Sequence, residues 1–140
     1  MKSGIDTSAT AREEQTQFNI IATPAYPELT PNMIALSNER NNTLFVVADT
    51  PMRLGASGTE LVTWATNDLG AGLPTEDGNS ATSNYAGAFY PSCQTTDLGG
   101  NLVVAPPSHM MVRTILRSDA VSYPWLAPAG TRRGVIDNAS

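Results

Sequence analysis

The chain of 140 residues has one cysteine, one lysine and one histidine, and only 15% of its residues are charged, against about 25% in ordinary soluble domains. Each scarcity excludes something. Cys93 alone cannot close an internal disulfide, and a lone thiol fits a reducing compartment or a particle assembled in one. Eight basic residues against 13 acidic ones give a net charge of −5. That balance supplies no basic face to neutralise phosphates, so direct nucleic-acid binding is not expected. No run approaches the roughly 18 apolar residues of a membrane span. The opening MKSGIDTSATAREEQTQ has no apolar stretch after Lys2, so it does not read as a signal peptide. No unit of 20 to 50 residues repeats. Glycine, proline, serine, threonine and asparagine take the place of the missing charge. Such a neutral surface suits a protein packed among neighbours as well as one free in solution.

What is present reads as one layered domain. Residues 1–17 are polar without apolar periodicity and are expected to form a flexible arm; residues 18–140 are expected to form the α/β body. Residues 18–22 read as a short strand stopped by Pro24, and the PAYPEL segment is held extended by its prolines. Thr30 before Pro31 has the pattern of an N-cap with proline at the first helical position. It predicts a helix to about Arg40 with Met33, Ile34 and Leu36 inward, ended by Asn41-Asn42. LFVVA, residues 44–48, is apolar at every position, the pattern of a strand covered on both faces.

After a turn over 49–58, Thr59 reads as a second N-cap. Leu61, Val62, Ala65 and Leu69 then form a helical stripe with Trp64 beside it, closed by Gly70. Residues 70–84 read as a long surface loop. YAGAFY, 85–90, is a strand stopped by Pro91, with Gly87 allowing close backbone approach. Residues 97–100 form a turn, 101–105 a strand, and Pro106-Pro107 a corner placing Ser108 as a third N-cap. The helix that follows to about Arg117 is expected to turn Met111, Val112, Ile115 and Leu116 inward, with Arg113 and Arg117 on a more polar face. Beyond Asp119 the chain reads as irregular. The order of elements gives an α/β domain, a mainly parallel or mixed sheet flanked by helices.

Chemistry finds little support. Asp49 ends a buried strand, where open α/β sheets bind ligands, but residues 50–53 add only the Thr50 hydroxyl as a further oxygen donor. A carboxylate that caps the turn, or pairs with an arginine such as Arg53, is the stronger reading. The loop GASGT, 55–59, lacks the lysine of a phosphate-binding loop, with Glu60 placed where phosphate would lie. It also lacks the glycine that a nucleophile elbow needs two residues after Ser57. A catalytic triad or zinc site would have to use His109, which follows Ser108 at a helix start and reads as exposed decoration. Cys93 has no neighbouring histidine or lysine to activate it. The sequons Asn41-Asn42-Thr43 and Asn138-Ala139-Ser140 carry weight only in a secreted chain. No catalytic, cofactor-binding or metal-binding residue is expected, and the chain reads as a scaffold rather than an enzyme. The alternative is a small α/β hydrolase-like enzyme built on Asp49 with Ser57 or His109.

Four segments, in order, resemble the tail sheath proteins of contractile phages and related injection machines. LFVVADTP, 44–51, is similar to their buried strand ending in Asp-x-Pro. SNYAGAFYP, 83–91, is similar to their Ser-x-Tyr-Ala-Ala-x-Tyr-Tyr-Pro strand. VVAPPSHMMVRTILRSDA, 103–120, resembles their Val-x-x-Pro-Pro-Ser corner with its helix and Arg-x-Asp ending. WLAPAG, 125–130, resembles their Trp-x-x-Pro-Ala-Gly turn. Two departures are visible: His109 stands where the family commonly has glycine or a small residue, and the chain stops soon after the Pro-Ala-Gly turn. Family members are longer, and their later region supplies much of the tube-facing domain and a C-terminal arm.

The resemblance implies a structural subunit of a contractile sheath that surrounds the tail tube and drives it through the host envelope, as in viral genome ejection by a bacteriophage. Its implied partners are other copies of itself in a helical lattice, the tail tube protein, and the baseplate and tail terminator proteins. Its implied place is the tail of the virion, assembled in the host cytoplasm, with neither nucleic-acid contact nor membrane insertion. Another tail or baseplate module is the neighbouring possibility. Arg113, Arg117, Asp119, Arg132 and Arg133 are candidates for polar contacts within or between subunits. The 140-residue piece by itself is expected to be monomeric.

Overall fold

The apolar run at 44–48 becomes the middle of a three-stranded parallel sheet. A computed structural model of the chain describes residues 1–13, 15–54, 58–67, 78–79 and 81–139. Two short helices, α1 (Lys2–Thr7) and α2 (Ala9–Arg12), precede β1 (Ile20–Ala22). A 3-10 turn (Pro27–Leu29) leads into α3 (Thr30–Glu39), followed by β2 (Phe45–Asp49), α4 (Gly58–Ala65) and β3 (Ala86–Phe89). A hairpin of β4 (Cys93–Thr96) and β5 (Leu102–Ala105) comes next, then α5 (Pro107–Val121) and α6 (Gly130–Arg133). The sheet order is β1-β2-β3, all parallel, and β4-β5 forms a separate antiparallel pair. The fold is a mixed α/β one.

Helices cover both faces of β2. Its alternate residues point opposite ways. Val46, in register with Ile21 and Ala86, meets Met33 and Ile34 of α3 on one face. On the other face lie Phe45, Val47 and Asp49, and α5 packs over β2 and β3. Val46 and Val47 are both fully buried, which is why the run is apolar at every position rather than alternating. Gly87 sits opposite Val47, and a Cβ there would stand 3.4 Å from the Phe45 and Phe89 rings, the close approach expected of it.

Helix starts and faces depart from the sequence pattern in instructive ways. Thr30 does not cap α3: its backbone is already helical (φ −55°, ψ −44°), because the 3-10 turn feeds straight into the helix. The far end matches expectation, with Asn41 and Asn42 both left-handed at φ 55° and 57°, a conformation asparagine tolerates. In α4, Thr59 lies inside the helix, and the buried pair is Thr63 and Trp64 while Val62 is 60% exposed. The large indole sets the rotation, since it has the most apolar area to remove from water. Leu69, Gly70 and most of the 70–84 loop lie outside the described residues.

In α5 the inward face is Ser108, Met110, Thr114 and Ser118, not the Met111–Leu116 stripe, and Leu116 is 56% exposed. Small side chains let a helix lie close on strands. The Thr114 hydroxyl donates to the Met110 carbonyl at 2.9 Å, so its burial leaves no donor orphaned. The helix runs on to Val121, past the expected end.

Residues 1–13 depart from a free polar arm. Arg12 pairs with Glu39, and Asn32 donates to Asp6 at 2.7 Å. Arg40 donates to the carbonyls of Ala11, Glu13 and Thr16 at 3.0, 2.7 and 2.9 Å while lying over the Phe18 ring. One apolar residue, Ile5, joins the Met33–Ile34 cluster. A polar segment is thus ordered by a distant guanidinium. β4 was not expected either, since CQTT has no apolar pattern and is fixed through its backbone ladder with β5.

The turn joining β4 to β5 is organised by Asp97. Its carboxylate accepts from the Asn101 and Gly99 amides at 2.9 and 2.8 Å and from the Asn101 side chain at 3.2 Å. These bonds, led by those from Asn101, favour the ionised form and hold the carboxyl below its ordinary value of 3.8. The support it lends the turn is therefore complete above pH 3.8 and fades as pH falls through the lower, folded value. A carboxyl-carbon NMR titration should place Asp97 below 3.8, and Asn101→Ala should move it upward; a midpoint at or above 3.8 contradicts this. Separately, Met110→Ala should lower the unfolding free energy by about 2–5 kcal/mol and Leu116→Ala by less than about 0.5 kcal/mol in urea denaturation. Equal losses would mean α5 is rotated otherwise.

Candidate functional site

Asp49 is 1% exposed, at the carboxyl end of β2. One of its oxygens accepts the Ser108 backbone N–H at 2.6 Å. The other accepts the Ser108 hydroxyl at 2.7 Å and the Ala25 N–H at 2.8 Å. Ala25 takes a left-handed backbone (φ 66°) to present that N–H. The carboxylate thus fastens three segments: the turn after β1, the end of β2 and the first turn of α5. A cap on the turn after β2, or a pair with an arginine such as Arg53, is the expectation; these three hydrogen bonds run instead to distant segments, with two backbone amides and a serine hydroxyl as donors. Ser108 in turn is no N-cap; Pro106 holds that position, and the Ser108 side chain points inward to Asp49.

An open groove of about 430 Å³ is lined by residues from all four of the segments that the sequence pattern singles out. Phe45 of LFVVADTP, Phe89 of SNYAGAFYP, Met111 and Ile115 of the third segment, and Trp125 with Pro128 of WLAPAG all line it. Tyr123 stacks on Trp125 at 4.8 Å and 6°, with Trp125 76% exposed. Gly130 at φ 75° makes the turn that ends the fourth segment.

The remaining candidates fall in different places. His109 is exposed, and its backbone N–H donates to the Pro106 carbonyl. Ser57 and the rest of 55–57 lie outside the described residues. Cys93 is half-buried with its thiol 3.7 Å from the Ala105 carbonyl. Arg113 and Arg117 do not pair with Asp119; they hold residues 135–137 instead, Arg113 through the Asp137 carbonyl and Arg117 through the Asp137 carboxylate and the Val135 carbonyl. Arg133 donates to the Ala127 carbonyl at 3.2 Å and so braces the Pro-Ala-Gly turn. Among the described residues no group of three or more histidine, cysteine or acidic side chains could hold a metal ion, and no helix is long and apolar enough to cross a membrane.

Sequence reasoning missed the exposed apolar sheet. Leu102 and Val104 of β5 are 71% and 59% exposed, with Leu98 at the turn beside them. Residues 101–105 read simply as a short strand, and α5 meets this second sheet on the Cys93 side, leaving Leu102 and Val104 open to solvent. The polar residues Gln94 and Thr96 opposite Val104 and Leu102 are the signal that this face is open.

No protein-family model matches this sequence, and no curated protein matches it. The site is therefore defined by its own geometry: a buried carboxylate clasp, an aromatic-edged groove and an uncovered apolar hairpin.

Asp49→Ala should destabilise the fold by about 3 kcal/mol or more in chemical denaturation, since it orphans two backbone N–H groups and a hydroxyl. Ser108→Ala removes a single hydroxyl bond and should cost about 1–2 kcal/mol. A smaller loss for Asp49→Ala than for Ser108→Ala would contradict the clasp.

Proposed function

We propose that this chain is a subunit of a contractile tail sheath, working through surfaces that meet other copies of itself, the tail tube, and the baseplate and terminator proteins. The observation that supports this reading is the meeting of the four sheath-like segments along one groove, although up to 83 positions separate its lining residues, from Phe45 to Pro128.

The surface supports the same reading. Leu102, Val104 and Trp125 face solvent, and removing each such side chain from water contributes roughly 1.5–3 kcal/mol. A lattice repeats that gain at every copy. A sheath held in a stretched arrangement lowers its free energy on contraction by repacking such contacts, without nucleotide, while the body moves as a nearly rigid unit. The clasp at Asp49 supplies that rigidity by joining both faces of the sheet. On this reading the protein resides in the virion tail, assembled in the host cytoplasm.

Gold-labelled antibodies against this chain, viewed by negative-stain microscopy, should decorate tails along their length in both extended and contracted particles. Label confined to capsids or to the baseplate, or absent from tails, would overturn the proposal.

A further inference from the structure

Residues 134–139 carry no helix or strand, yet they are fastened at several points to other elements. Arg117 of α5 pairs with the Asp137 carboxylate and donates to the Val135 carbonyl at 2.7 Å. Arg113 donates to the Asp137 carbonyl at 3.1 Å, and Asn138 reaches across to the Thr96 carbonyl at the end of β4 at 3.3 Å. The segment therefore bridges α5 and the hairpin. Its apolar anchoring is slight, since Val135 and Ile136 are both exposed. Polar contacts at the surface supply most of the hold, and these are weak singly and screened by salt.

Beneath the bridge lies an apolar cleft of about 280 Å³ between β4 and the start of α5. Cys93, Phe89, Met110 and Met111 line its floor, and Ile136 and Ala139 of the bridging segment line its rim. The elements that wall the cleft are fixed by ladder and helix hydrogen bonds; the rim is fixed by side-chain charge.

We propose that residues 135–139 are a charge-held strap that closes this cleft, and that breaking the Arg117–Asp137 pair opens it. The strap is a conformational device independent of the sheath reading. Ionic strength, or a charged surface competing for Arg117, shifts it toward the open state and uncovers Met110 and the thiol. The body beneath stays folded, because neither the Asp49 clasp nor the sheet register involves the strap.

Cys93 is the only cysteine, so its reaction with an aromatic disulfide reagent reads the strap directly. The wild-type rate should rise as salt is increased toward about 1 M, where screening acts over about 3 Å. Asp137→Ala at low salt should react about two- to fivefold faster than wild type, the factor a surface ion pair contributes, and should lose the salt dependence. The charge exchange Arg117→Asp with Asp137→Arg should restore the slow, salt-sensitive rate, with slow amide exchange in β2 showing the body folded throughout. A wild-type rate in Asp137→Ala, or failure of the exchanged pair to restore protection in a folded body, would overturn the strap.

Discussion

One buried carboxylate sets the geometry of this domain. Asp49 takes donors from Ala25 and Ser108, 24 and 59 positions away, so the entry to α3, the end of β2 and the start of α5 share a single fixed point. Removing a carboxylate from water is costly, and three short hydrogen bonds to the charged group offset that cost only while all three segments stay in place. The consequence reaches along α5. With Ser108 turned to Asp49, Met110, Thr114 and Ser118 face the sheet, and Leu116, on the opposite side of the helix, faces water. The exposure of Leu116 is thus an outcome of the clasp.

What could be read from sequence was local. The strand at 44–48, the strand at 85–90, the inward face of α3 and its asparagine ending each have a short-range cause: apolar runs, β-forming residues, left-handed asparagines. What could not be read depended on distant partners. Thr30, Thr59 and Ser108 have the right chemistry for caps, but a preceding 3-10 turn makes Thr30 helical and a carboxylate 59 positions away claims Ser108. The face of α5 was illegible because periodicity counts apolar residues, whereas this helix buries hydroxyls: Ser108 bonds to Asp49 and Thr114 to the Met110 carbonyl, while the Ser118 hydroxyl is buried without a partner among the described residues. The order in residues 1–13 was illegible for a similar reason, since it rests on Arg40 reaching back to three carbonyls.

Asp49 itself was legible as a special position, at the end of a buried strand, and the lack of oxygen donors beside it pointed to a structural part, though to a cap on the local turn or a pair with Arg53. Its partners were not legible. The groove shows the same division: the four segments could be picked out by pattern, whereas their convergence on Phe45, Phe89, Met111 and Trp125 is a property of the fold. The proposed mechanical role joins the two levels. A rigid interior holds the shape, and neutral, partly apolar outer surfaces are left for neighbours to cover.

The claim on which all of this depends is that the clasp unites both faces of the sheet into one cooperative unit. Native-state hydrogen exchange at the Ala25 and Ser108 amides, followed residue by residue, tests it most directly. Both amides should exchange as slowly as those of Val46 and Val47 and open in the same event. Exchange at the rate of the exposed 97–100 turn, or opening of Ser108 while β2 stays closed, would contradict it.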